Sequence, residues 1–142
     1  MNPGLVVVVI VGLVALATGL GVLWQSRQGK IRVGDQRIVS IDGVALGERA
    51  TLLQFSTEVC APCKSTARVL GELADGEDAV THVDLDVTHR PELAARYKVM
   101  QTPTTLILDS YGAVRARIGG AVRRDLISAE LARVLEQRVH AA

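Results

Sequence analysis

Cys60 and Cys63 are the two cysteines of the chain, separated by Ala61 and Pro62. Thiols at this spacing can cycle between dithiol and disulfide, or supply half of a metal site. A structural zinc site takes four ligands, and the other soft donors are His82, His89 and His140. Six residues separate His82 from His89, outside the usual three to five. The pattern therefore favours redox chemistry with no metal and no organic cofactor; two inert thiols are the bland alternative.

The elements around the pair sharpen this. Thr51-Leu52-Leu53-Gln54-Phe55 is short, apolar and partly β-branched, the pattern of a buried strand. Beyond Cys63, Ala67, Leu70, Leu73 and Ala74 recur at helical spacing, which predicts a helix starting near Cys60 or Ala61. Cys60 then sits at the helix N-terminus, where unpaired N–H groups and the dipole stabilise a thiolate. A free thiol titrates near about 8.5, and helix-start C-x-x-C thiols at roughly 3.5–7.5. Cys60 is the expected nucleophile, and Cys63, about one turn inside, the resolving thiol. Pro62 falls in the first turn, where its missing N–H is no loss. Lys64 adds a nearby cation.

With 142 residues and a formal charge of +1, the chain has room for one ordinary domain plus an appendage, and no basic run points to nucleic acid. The appendage is apolar. Leu5 to Trp24 carries no charge and as a helix spans about 30 Å, the thickness of a hydrocarbon core. Ala15-Leu16-Ala17 has the small-x-small form of a signal-peptide cleavage site. No Lys or Arg precedes the run, however, and it continues past Ala17, so it reads as a retained anchor. No cysteine follows it to serve as a lipoprotein anchor. Residues 1–24 are thus read as a transmembrane anchor, 25–36 as a juxtamembrane linker and 37–142 as the catalytic domain. Arg27, Lys30, Arg32 and Arg37 follow the span, so the positive-inside rule places the domain in the cytoplasm.

Arg37 to Ile41 is expected as a first strand, closed by an Asp42-Gly43 turn. Val80 to Val87 alternates, with His82, Asp84 and Asp86 on a polar side. Pro91 opens a helix burying Leu93, Ala94 and Tyr97. Thr104–Leu108 and Val114–Ile118 form an antiparallel hairpin through Tyr111-Gly112. Ile127, Leu131, Val134 and Leu135 line a final amphipathic helix, and His140 to Ala142 form a frayed tail. The order β-β-α-β-α-β-β-α suits an α/β fold, a central mixed sheet flanked by helices.

Val59-Cys60-Ala61-Pro62-Cys63-Lys64 resembles the W-C-G-P-C-K active site of the thioredoxin family, and Thr102-Pro103-Thr104 resembles its cis-proline segment. The resemblance extends from about Arg37 to Gln137. It implies the thioredoxin fold, a cis bond before Pro103 beside the dithiol, and a Thr102 backbone that pairs with an extended substrate. Three departures stand out. Little room exists between Asp42 and Ala50 for the family's first helix. Val59 replaces a flat aromatic surface. Gln54 stands where the family typically carries a buried Asp that moves protons for the resolving thiol; Gln cannot titrate, so water or another group must serve. His82 is a candidate relay, with a solvated histidine as the plain alternative.

Ala61-Pro62 lacks a histidine between the cysteines, which favours a reductant or exchange role over an oxidant. The resulting expectation is a membrane-anchored thiol–disulfide oxidoreductase acting on protein disulfides. Its electrons come from a reductase on the cytoplasmic side or from a membrane relay on the outer side. The alternatives are an extracytoplasmic oxidoreductase for secreted or cytochrome-maturation thiols, and a tethered module that binds a partner or metal without turnover.

Overall fold

The computed structural model describes residues 2–25, 31–33 and 37–139. It contains α1 (Pro3–Gln25), β1 (Ile31–Val33), β2 (Ala50–Ser56), α2 (Ala61–Asp75), β3 (Val80–Asp86), α3 (Pro91–Arg96), β4 (Thr104–Asp109), β5 (Val114–Gly119) and α4 (Arg124–Val139). Residues 26–30 and 34–36 of the predicted linker, and the predicted tail 140–142, lie outside the described residues. The apolar stretch Pro3–Leu23 of α1 is long and apolar enough to cross a membrane, and no part of it is buried among the described residues.

The sheet has five strands in the order β1-β5-β4-β2-β3. β2 pairs in parallel with β3 and antiparallel with β4, and β4 and β5 form the predicted hairpin. β2 lies inside the sheet, between β4 and β3, and every one of its residues is buried. Its side chains alternate between two cores. Leu52 joins Leu70 and Ala74 of α2 and Ile127, Leu131, Val134 and Leu135 of α4 on one face. Leu53 and Phe55 join Tyr97, Leu106 and Leu108 on the other. Full burial of each such side chain contributes about 1.5–3 kcal/mol. The Phe55 and Tyr97 rings stack with centroids 5.6 Å apart, and the Tyr97 hydroxyl donates to the Ser40 carbonyl at 2.9 Å.

The first strand departs from its predicted place. It is Ile31–Val33, within the stretch read as linker, and not Arg37–Ile41. Ile38 makes only an isolated bridge to Ala113. From Val33↔Ala116 to Ile38↔Ala113 the edge chain advances five residues while β5 advances three. The pairing register against β5 therefore differs by two between these two described parts. Between Asp42 and Ala50 there is a turn and no helix, as the short spacing implies.

The pole where β2 begins is tied down by local polar contacts. Asp109 Oδ1 accepts the Tyr111 and Ala113 amides at 2.9 and 3.0 Å, and its Oδ2 accepts Arg115 Nε at 2.8 Å. Gly112 adopts φ +78°, and its carbonyl accepts the Val39 amide at 2.8 Å. Gly47 donates to the Thr51 hydroxyl at 2.8 Å, and a Cβ there would lie 2.2 Å from the Ala50 carbonyl oxygen. Only glycine fits at that position.

Candidate active site

At the other pole, β2 carries the chain through Thr57–Val59 to Cys60, the N-cap of α2 in extended conformation (φ −142°, ψ 93°). The helix begins where the spacing predicts. No side chain caps it, so the first-turn N–H groups and the dipole are left to act on the sulfur of Cys60. Cys60 and Cys63 form a disulfide with an S–S distance of 1.99 Å. Cys60 is partly exposed and Cys63 buried, which fits an attacking and a resolving thiol. Pro62 is exposed in the first turn. Its carbonyl accepts the Ser65 hydroxyl at 2.9 Å.

The Thr102–Pro103 peptide is cis. Pro103 is buried, and its carbonyl accepts the Gly120 amide at 2.8 Å. Thr102 reaches across to the loop before Cys60, its hydroxyl 3.2 Å from that of Thr57. Phe55 pairs with Thr104, so the cis-proline loop and the disulfide loop leave neighbouring strands at the same pole.

A groove of about 440 Å³ runs beside the disulfide on the β3 side. Both cysteines line it, together with Lys64, Glu58, Asp84 and Asp86. Asp86 accepts the Thr88 hydroxyl at 2.6 Å and the Thr88 amide at 2.7 Å, and these bonds hold its carboxyl below the ordinary 3.8. The Thr88 hydroxyl in turn accepts the Glu58 amide at 2.9 Å. The Asp86–Thr88–Glu58 chain thus fixes the loop that presents Cys60. Sequence reasoning marks the polar side of this strand but names neither Asp84 nor Asp86 as groove residues. It also misses Thr57 and Thr88, whose partners come from distant segments.

Gln54 is fully buried beneath the pair, and its Nε2 donates to the Cys63 carbonyl at 3.0 Å. Its Oε1, and the buried hydroxyls of Thr66 and of its cross-strand neighbour Thr105, have no hydrogen-bond partner among the described residues. His82 shares this face of the sheet, one pleat repeat farther from the disulfide, since Asp84 and not His82 pairs with Gln54. It lies against Gly71, eight residues down α2 from Cys63. Burial holds its imidazole below the ordinary 6.5, partly offset by Asp84 and Asp75. The structure brings Gln54 to the dithiol and leaves His82 away from it.

The thioredoxin family profile matches residues 42–133. The chain belongs to the thioredoxin family. It is 33% identical over 91 residues to the thioredoxin of Alicyclobacillus acidocaldarius, covering 63% of this chain and 86% of that protein. It is 37% identical over 76 residues to the thioredoxin of Staphylococcus aureus, covering 53% and 73%. Among solved structures, the thioredoxin of Fasciola hepatica superposes with a TM-score of 0.53 at 26% identity, over 61% of this chain and 82% of that one. Membership of the thioredoxin family, with the Cys60–Cys63 pair at the start of α2, makes the protein a thiol–disulfide oxidoreductase. Within the family's surface this chain presents Val59, 97% exposed, next to Cys60, and Met100, 90% exposed, near Pro103.

Proposed function

We propose that this protein is a membrane-tethered reductant of protein disulfides, held by residues 5–24 and working through Cys60 and Cys63. The observation that carries the reading is the partly exposed Cys60 at an uncapped helix start, with Cys63 buried behind it. The Cys60 thiolate attacks one sulfur of a substrate disulfide, forming a mixed disulfide and releasing the other sulfur as a thiolate. The Cys63 thiolate then attacks Cys60 Sγ, which closes the 60–63 disulfide and releases the second substrate thiol. Two electrons pass to the substrate, and a dithiol donor must restore the pair.

Thr102 and Pro103 supply the edge along which an extended substrate lies, adding backbone hydrogen bonds to the sulfur contact. Gln54 positions Cys63 by holding its carbonyl, and with His82 set back against Gly71 the proton of Cys63 passes to water in the groove. The absence of a cation between the cysteines supports a reducing potential. Arg27, Lys30, Arg32 and Arg37 after the span support a cytoplasmic domain.

The test is the reduction potential of the pair in the full chain in detergent micelles, with zinc chelated. The expected value is about −270 mV, the range of reductants in this family. A value near about −120 mV means an oxidant and overturns the reductant reading. Labelling of the reduced cysteines by a membrane-impermeant thiol reagent in intact cells overturns the cytoplasmic placement.

A further inference from the structure

The register of the sheet fixes which pole the chain enters when it arrives from α1. Ile31 pairs with Ile118, Ile118 with Thr105, and Thr105 with Gln54. These four residues form one row across the sheet. β1 is antiparallel to β5, β5 to β4 and β4 to β2, so β1 begins at the pole where β2 ends. That pole carries Cys60 and the Thr102–Pro103 peptide. The opposite pole, with the Asp109–Gly112 turn and Gly47, is where β1 runs to and not where it starts.

The reach from α1 is short. Gln25 ends the helix and Ile31 opens the strand, so six peptide steps connect them. Whatever path they take, they span at most about 20 Å. Ile31 is two strand spacings from β4, about 10 Å, and two residues short of the level of Pro103. A domain of this size has a radius of gyration of about 13 Å. A tether this short, entering at one pole, holds that pole toward the surface its anchor lies in and the opposite pole away from it. The exposed apolar side chains of Val59 and Met100 stand at this same pole, and Arg32 is exposed on β1 where lipid headgroups would meet it.

We infer that the redox pole faces the bilayer, and that the substrate it fits is a cysteine pair at the membrane surface of an integral membrane protein. This rests on the reading of residues 5–24 as a retained anchor. It gives the exposed Val59 and Met100 an occupant, the apolar juxtamembrane segment that carries the substrate disulfide.

The test uses the full chain, reduced beforehand, in phosphatidylcholine vesicles with synthetic transmembrane peptides. One peptide carries its disulfide directly after the membrane helix. The other holds the same disulfide about 45 Å farther out on a rigid helical spacer of about 30 residues. The near disulfide should be reduced at least about tenfold faster, a fraction of what effective concentration can supply when geometry permits contact. Inserting twenty Gly/Ser residues after Gln25 should bring the ratio to about one, with reduction of a small water-soluble disulfide unchanged. Equal rates in the uninserted chain, or faster reduction of the far disulfide, overturn the inference while leaving the anchor and the redox chemistry standing. A chain that does not float with the vesicles overturns the anchor, and this inference with it. Loss of activity on the small soluble disulfide in the uninserted chain overturns the oxidoreductase reading instead.

Discussion

The two poles of the sheet differ in how fully their buried polar groups are paired. At the pole where β2 starts, Asp109 alone receives two amides and a guanidinium, the buried Ser110 hydroxyl has no partner among the described residues, and Gly47 and Gly112 sit where a side chain would collide with backbone. At the pole where β2 ends, Gln54 Oε1 and the Thr66 and Thr105 hydroxyls are buried without partners among the described residues. The first arrangement stabilises the fold. The second forgoes stability where thiol exchange takes place. Changes at the first pole should therefore lower stability and spare the chemistry of the folded molecules, whereas polar groups at the second should prove dispensable for folding.

The largest break comes at Gly47. Gly47→Ala pushes a methyl group into the Ala50 carbonyl and should lower the unfolding free energy by about 3 kcal/mol, read as a shifted urea midpoint at constant slope. Disulfide reduction per folded molecule should not change. Next in size, Asp109→Ala strands two turn amides and Arg115, for a loss of about 2 kcal/mol by the same assay. One substitution should run the other way. Thr105→Val removes a fully buried hydroxyl that has no partner among the described residues and keeps the shape, so it should raise stability by up to about 1 kcal/mol. A loss of similar size would mean that this hydroxyl is satisfied and that the poles are more alike than they look.

The smallest effect depends on pH. Burial lowers the His82 pKa below 6.5, so the unfolded chain binds more protons than the folded one just below that value. The stability from neutral His82 is complete above pH 6.5 and declines as pH falls through the folded-state pKa. His82→Asn should flatten this part of the profile, measured as urea midpoints between pH 7.5 and 5. Asp86, held below 3.8 by Thr88, keeps its full contribution across that window and loses it only as pH falls below 3.8.

The helix start at Ala61, the hairpin of β4 and β5 and the buried stripe of α4 were legible because local pattern alone decides them: a turn signal, an alternation, a 3.6-residue period. The dithiol was legible because the spacing of Cys60 and Cys63 carries its own chemistry. What depended on register was not. Ile31-Arg32-Val33 and Arg37–Ile41 are both β-branched and alternating, and only pairing against β5 decides that the first is the strand. Parity alone puts His82, Asp84 and Asp86 on one face, yet the parallel register with β2 sets Asp84 beside Gln54 and His82 a pleat away. The Thr57–Thr102 and Glu58–Thr88 contacts join segments that neither periodicity nor motif connects.

The proposed mechanism has Cys60 attack and Cys63 resolve. Its most direct test is to react the full-length Cys60→Ser and Cys63→Ser chains with a peptide disulfide and locate the mixed disulfide by mass spectrometry. Cys63→Ser should accumulate one peptide on Cys60, and Cys60→Ser, its remaining thiol buried, should accumulate little. Faster capture at Cys63, or none at either, would contradict the account.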